Sequence, residues 1–244
     1  MSIFSIVTVR RGSKGLRNKC ARKIIDKPVF QYVIDYSLQL NFIIKGGIFT
    51  VISSDLDLIK KYCFEKKIPF IKRIQVLSSD FTPIEEVIYD AYLKIGRHFD
   101  YISLLYGNIP TRYPQEFLKA YNFLKRNRDY NAVISVQNVG KYNPSWMFEF
   151  NERILPARRC KVYRRQDLKQ YMIHDGHTVL FRTKYFLEFM TEGKLEQKRG
   201  LYDAFGKRIK PMINDRVIID IDSEKDLKLA EAVIIQGNME GVLK

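Results

Sequence analysis

IFSIVTVRRGSKGLRNKCARKIIDK, residues 3–27, is an apolar run that breaks off into a basic loop punctuated by glycine. Ile6, Val7 and Val9 are β-branched and suit a buried strand, and the break falls at Arg10. Gly12 and Gly15 lack a Cβ, so backbone N–H groups there can turn toward a ligand. Arg10, Arg11, Lys14, Arg17 and Lys19 surround the turn with cations, and such groups neutralise phosphate through charge-assisted hydrogen bonds. The stretch reads as a phosphate grip. It is neither of the two familiar ones: a Walker loop needs Lys-Ser/Thr after its second glycine, and a dinucleotide loop needs three glycines spaced differently.

The 244 residues suffice for one large α/β domain, or for one domain carrying a smaller inserted element. A hydrophobic share of 46% and a charged share of 28% are ordinary for a water-soluble chain, and no apolar run approaches the length of a membrane span. The arginines follow the apolar N-terminus instead of preceding it, the wrong order for a secretory signal, so a cytoplasmic location without membrane is expected. Cys20, Cys63 and Cys160 have neither zinc-site nor disulfide spacing. The net charge of +15 implies an anionic partner, which is nucleic acid, an acidic membrane surface or a polyanionic small substrate.

Strands are expected at Ile3–Val9, Ile48–Ser53, Phe70–Lys72, Tyr101–Leu105, Ala132–Val136, Thr178–Phe181 and Val217–Ile221. Between them apolar residues recur at helical spacing: Val29, Tyr32, Val33, Tyr36 and Leu40; Val87, Ile88, Ala91, Tyr92 and Ile95; Leu227, Ala230, Val233 and Ile234. Ser54 with Asp57, Thr82 with Glu85 and Ser223 with Asp226 have the form of helix N-caps. Strand and helix alternate up to about Val136, which predicts a mainly parallel sheet with helices on both faces. Ligands of such sheets bind beyond the carboxyl ends of the strands. From about 137 to 176 the alternation stops, and an insertion is expected there. Its Pro144, Trp146, Met147, Phe148 and Phe150 form either a local core or a surface buried between two subunits.

Asp220 and Asp222 close the apolar run before Ser223, and alternation places both on one side of it. Two carboxylates beside a triphosphate would suit Mg²⁺, a hard cation that prefers oxygen donors and shares phosphate oxygens. Alternatively, both are helix-start residues aligned with the helix dipole. His174 and His177 flank Asp175-Gly176 and are candidates to line a pocket, and no serine, histidine and acid arrangement suggests a covalent nucleophile.

Val9-Arg10-Arg11-Gly12-Ser13-Lys14-Gly15 resembles the A-R-x-G-S-K-G signature of the N-acylneuraminate (sialic acid) cytidylyltransferases. Ile219-Asp220-Ile221-Asp222-Ser223, continuing to Asp226-Leu227 and Ala230-Glu231, resembles that family's I-D-I-D-[ST]-x-x-D-L metal motif and the helix after it. Arg73 with Leu77-Ser78-Ser79-Asp80-Phe81-Thr82 resembles R-P-x-x-L-A-x-D-x-[ST], with Ile74 in place of proline. Arg164-Arg165-Gln166-Asp167-Leu168 and Asp175-Gly176 resemble R-R-Q-x-L-P followed by N-G. The centre is more divergent. Where the family has L-L-Q-P-T-S-P-L-R this chain has Tyr106 for glutamine and Asn108 for threonine before Arg112, and Cys20 stands in place of an asparagine.

The resemblance implies an α/β, mainly parallel Rossmann-like nucleotidyltransferase sheet with helices on both faces and a smaller inserted dimerisation element. It implies joining of CMP from CTP to a sugar acid by a homodimer that uses Mg²⁺. Under it Arg10, Gly12, Ser13, Lys14, Gly15, Lys19, Arg73 and Asn108 bind the nucleotide, and Arg10, Lys14 and Asp222 are catalytic. Arg112, Arg165, Gln166, Asp175 and Gly176 face the sugar acid, while Asp220 and Asp222 hold the metal. Cys20 and Tyr106 leave the choice of base and sugar open. The rival enzymes are a sugar-1-phosphate nucleotidyltransferase and a ketodeoxy-octulosonate cytidylyltransferase. Nucleic-acid binding is disfavoured, because the basic clusters at Arg10–Lys27 and Arg158–Arg165 match no nucleic-acid module.

Overall fold

In the computed structural model, residues 1–12, 15–150, 154–156, 162, 164–194, 200 and 202–239 are described. All seven residues of Ile3–Val9 (β1) are buried. Alternation sends Ile3, Val7 and Val9 into one apolar layer and Phe4 and Ile6 into another on the opposite face. The chain continues through the short pair Lys23–Ile24 (β2) and Lys27–Pro28 (β3), then Val29–Ile43 (α1), Ile48–Ser54 (β4), Asp57–Glu65 (α2) and Phe70–Lys72 (β5). Ile84–Ile95 (α3), Tyr101–Tyr106 (β6), Pro114–Arg126 (α4) and Ala132–Asn138 (β7) follow. A hairpin of Phe148–Phe150 (β8) and Ile154–Pro156 (β9) forms its own small sheet. Met172–Arg182 (β10), Thr183–Thr191 (α5), Ile209–Ile213 (β11) and Glu224–Met239 (α6) complete the described chain.

The central sheet has seven strands in the order β11-β7-β10-β6-β1-β4-β5. β1 pairs in parallel with β4 and β6, β4 with β5, and β7 with β11, whereas β10 runs antiparallel between β6 and β7. Buried residues of α1, α2 and α4 pack on one face, those of α3 and α5 on the other, and α6 covers Leu16, Ile24 and Val29. The mainly parallel sheet with helices on both faces is therefore present. From β1 the chain builds outward through β4 and β5, then returns to place β6 on β1's other side. The carboxyl ends of β1 and β6 thus flank the point where strand order reverses, the usual ligand crevice of an open α/β sheet.

Several local expectations change. Val217–Ile221 is not a ladder strand: Ile219 N–H donates to Thr111 Oγ1 at 2.8 Å and Ile221 N–H to the Asn108 carbonyl at 3.0 Å. Asp220 and Asp222 are therefore held against the loop after β6, not at the end of a sheet strand. The seventh strand is β11, whose Pro211 suits an edge position where a missing N–H costs little. β10 starts earlier than expected, at Met172, with an irregularity between His174 and Val179. Ser223 and Asp226 do form a capping box, with Ser223 N–H to Asp226 Oδ2 at 2.9 Å and Asp226 N–H to Ser223 Oγ at 3.3 Å. Ser54 and Thr82 are not caps: α2 and α3 begin after Leu56 and Pro83, with no side-chain cap. The central sheet reaches Asn138 and resumes at Met172, and between these Met147 and Phe148 are exposed.

Candidate active site

The loop after β1 carries Arg10 out of the sheet, and its guanidinium pairs with Asp80. Arg11 N–H donates to Asp55 Oδ1 at 2.8 Å, tying the same loop to the end of β4. Gly15 then meets the acidic segment: a Cβ built there would lie 2.4 Å from the Asp222 carbonyl oxygen. No side chain can occupy that contact without moving the backbone. Lys19 Nζ reaches Asp222 Oδ1 at 2.6 Å, and Arg22 pairs with Glu224 at the start of α6. Residues more than 200 positions apart in sequence are thereby locked together.

A cavity of about 240 Å³ opens beside this junction, lined by Thr8, Arg10, Lys19, Cys20, Arg73, Leu77, Ser79, Asp80, Thr82, Ile84, Val87, Tyr106 and Asn108. It sits at the carboxyl ends of β1, β5 and β6. Arg73 is almost fully buried and anchored through Nη2 to the Ser53 carbonyl at 2.9 Å and through Nε to Ser53 Oγ at 3.3 Å. Burial lowers its guanidinium to about 10, with nearby Asp55 opposing the effect, so it remains a cation at neutral pH. Burial likewise pushes the Cys20 thiol up to about 12, which makes it an unreactive wall residue and not a nucleophile. Partial burial, and then the adjacent Asp222, raise the Asp220 carboxyl, whose Oδ1 accepts from the Asn108 amide.

Four of the expected nucleotide-binding residues, Arg10, Lys19, Arg73 and Asn108, therefore share one cavity. Gly12 and Gly15 lie on its loop, while Ser13 and Lys14 fall outside the described residues. The expected sugar-acid set divides. Arg165 and Gln166 are exposed and line a different cavity of about 400 Å³ with Asn138, Gly140 and Asn143. Arg112 is turned inward: Nε donates to the Ile109 carbonyl at 2.9 Å, Nη2 to the Tyr106 carbonyl at 3.1 Å, and Nη1 to the His177 carbonyl. With its donors spent on carbonyl groups and only 3% of it exposed, it is not placed to grip a carboxylate. Burial lowers it to about 10.

Asp175 is also committed to the fold. It accepts from Ser135 Oγ, from His177 N–H at 2.9 Å and, on its other oxygen, from Asn214 Nδ2 at 2.9 Å. Gly176 has φ of +73° and packs so closely on Ile109 that a Cβ would meet Cδ1 at 2.3 Å. His177 Nε2 accepts the Tyr113 N–H at 2.8 Å and so carries no proton, leaving Nδ1–H to face Thr178 Oγ1 at 2.7 Å. Burial holds its pKa well below the ordinary range. His174 lies against the rings of Tyr106 and Tyr202, its Nε2 buried without a hydrogen-bond partner among the described residues.

A larger cavity, of about 1180 Å³, lies among Asn131, Tyr185, Phe189, Asp203 and Arg208. Asn131 and Arg208 directly precede β7 and β11, so this space is at the amino-end edge of the parallel strands. Position at the strand ends, not volume, favours the smaller cavity. Asp80 and Asp55 are partners that charge counting around the glycine loop did not single out. Their signal was placement after β4 and β5, on the edge where β1 ends.

A family model described as Cytidylyltransferase matches residues 4–239. The chain belongs to the cytidylyltransferase family. Membership places it among nucleotidyltransferase enzymes. It is 30% identical to the N-acylneuraminate cytidylyltransferase of Escherichia coli over 139 residues, which cover 57% of this chain and 32% of that protein. The chain thus matches about a third of that relative's length. A post-translational flagellin modification protein B of Campylobacter coli is 24% identical over 245 residues, covering 98% of this chain and 97% of the relative. Among solved structures, a CMP:2-keto-3-deoxy-manno-octonic acid synthetase complexed with CTP superimposes with a TM-score of 0.70. It shares 15% identity and covers 97% of this chain and 99% of the other, a likeness of fold. No helix among the described residues is long and apolar enough to cross a membrane.

Proposed function

We propose that this cytidylyltransferase-family enzyme transfers CMP from CTP to a sugar acid of the sialic-acid-like, nonulosonic class and releases pyrophosphate. The observation that carries the reading is the junction of Gly15 with Asp222 beside the cavity of Arg10, Lys19 and Arg73. A cationic phosphate loop and a pair of carboxylates meet there. Relatives named for N-acylneuraminate support a sugar-acid acceptor.

In this reading the glycine-loop N–H groups, Arg10, Lys19 and Arg73 hold the triphosphate and fix the α-phosphate for in-line attack. Ser13 and Lys14 belong to the same loop. The sugar's anomeric hydroxyl oxygen forms the new P–O bond, the bond to the pyrophosphate oxygen breaks, and the hydroxyl proton leaves to solvent. The cations neutralise charge gathering on the departing pyrophosphate. Asp220 and Asp222 fit Mg²⁺: both offer oxygen, and the burial and then the Asp222 repulsion that raise Asp220 would be offset by a divalent cation shared with phosphate oxygens. When bound, that ion would supply charge neutralisation at the phosphates and acidify the attacking hydroxyl. Arg165 and Gln166 are the remaining candidates to meet the sugar acid. The exposed Met147, Phe148, Ile173 and Ile213 support a homodimer, which analytical ultracentrifugation would test. The net charge of +15 would steer CTP to the site in the cytoplasm.

The deciding experiment measures pyrophosphate release from each of four NTPs against nonulosonic acids, ketodeoxy-octulosonate and sugar 1-phosphates, with Mg²⁺. Release from CTP with a nonulosonic acid supports the proposal. Release only with a sugar 1-phosphate or ketodeoxy-octulosonate moves the substrate to a rival class. Binding of oligonucleotides without any pyrophosphate would refute it.

A further inference from the structure

We infer that Asn108 is a positioning residue for the Asp220 carboxylate, not a reader of the nucleotide. The inference rests on the proposed role of Asp220 as a metal ligand. Asn108 follows Gly107, where the chain leaves β6 pressed against β1: a Cβ on Gly107 would meet Val9 Cγ2 at 2.5 Å and the Thr8 carbonyl at 2.9 Å. The backbone of Asn108 is held on its other side as well, since its carbonyl accepts Ile221 N–H at 3.0 Å and Thr111 Oγ1 accepts Ile219 N–H at 2.8 Å. Thr111 is fully buried. These bonds flank Asp220 in sequence and set its Cα against the loop, and the Asn108 Nδ2 donor then takes Asp220 Oδ1.

The consequence for the site is directional. Asp220 lies between two backbone anchors but belongs to no sheet ladder, so without a side-chain partner its carboxylate could rotate freely toward water. The Asn108 amide fixes one oxygen and leaves Oδ2 without a hydrogen-bond partner among the described residues. Asp222, by contrast, is held by Lys19, a cation that the triphosphate would draw away. A neutral donor on Asp220 orients the ligand while preserving its charge, the usual task of a group behind a metal-binding carboxylate.

Mn²⁺ binding, read by the relaxation of water protons in the presence of a non-hydrolysable CTP analogue, tests this without turnover. Asn108→Ala should weaken Mn²⁺ binding about tenfold or more, as loss of such partners does. Asn108→Thr, which restores a donor, should recover part of the loss and guards against a folding defect in the alanine variant. In steady-state kinetics Asn108→Ala should lower kcat while the KM for CTP at saturating metal stays within about twofold. A raised KM for CTP with unchanged Mn²⁺ binding would overturn the inference and make Asn108 a nucleotide contact. Equal Mn²⁺ binding by wild type and both Asn108 variants would also overturn it. If the wild type binds Mn²⁺ no better than Asp220→Asn, the proposed metal site itself fails, and the inference with it.

Discussion

Arg73 and Arg112 are both almost fully buried and both lowered to about 10 by burial, yet they sit in regions of opposite construction. Arg73 lines the cavity at the end of β5 in company with Arg10 and Lys19. Arg112 is the centre of a knot that draws the carbonyl groups of Tyr106, Ile109 and His177 onto one guanidinium. Asp175, Gly176 and His177 finish that knot. The contrast teaches that a buried arginine can be left for a ligand or used up by the fold: Arg73 is tied to Ser53 and still borders the cavity, whereas Arg112 is tied to three separate carbonyl groups. In the knot the partners are backbone groups that would otherwise be buried without hydrogen bonds.

The comparison can be broken most sharply at its acidic edge. Asp222→Asn should reduce pyrophosphate release about 1,000-fold, the scale of several kcal/mol expected for a metal ligand. Its side chain is 69% exposed, so the thermal midpoint should stay put. If turnover persists at the wild-type rate, the acidic pair is only a helix start. In the knot the loss should be of stability instead. Arg112→Met strands several buried carbonyl groups and should cost about 3 kcal/mol in urea unfolding. A variant of unchanged stability that has lost sugar-acid binding would return Arg112 to the site.

Lys19→Met sharpens the other side. It should raise the KM for CTP about tenfold through loss of a charge-assisted contact, and shift stability by less than about 1 kcal/mol, as expected for its ion pair with an exposed carboxylate. The smallest effect concerns pH. His177 is held neutral in the fold, so below its unfolded value of about 6.5 the unfolded chain binds the extra proton. Its contribution is complete above that value and is lost as pH falls from about 6.5 toward the folded value. His177→Gln, which keeps an acceptor for Tyr113 N–H, should flatten this acid-side decline in unfolding free energy. An unchanged slope would mean that other groups carry it.

Much of this was legible in the sequence where local pattern and burial agree. β1 and the glycine loop, α1, α3 and α6, and the nearness of Asp222 to the phosphate loop all followed from periodicity, capping and motif. Val217–Ile221 was misread because Ile219 and Ile221 do alternate into a buried layer, but alternation reports burial and not the identity of the hydrogen-bond partner. Arg112, Asp175 and Gly176 were misplaced for a related reason. The partners that close the knot, His177 for Arg112 and Ser135 and Asn214 for Asp175, are far away in sequence, and unmet backbone carbonyl groups leave no sequence mark. β11 was missed because a five-residue edge strand containing proline is weak by any local criterion.

The central claim is that CTP occupies the small cavity at the carboxyl ends of β1, β5 and β6. Hydrogen–deuterium exchange with and without CTP and Mg²⁺ tests it most directly. Protection confined to residues 7–22, 73–82, 106–110 and 219–223 is the predicted result. Protection centred instead on 185–194 and 203–208, around the larger cavity at the opposite edge, would contradict it.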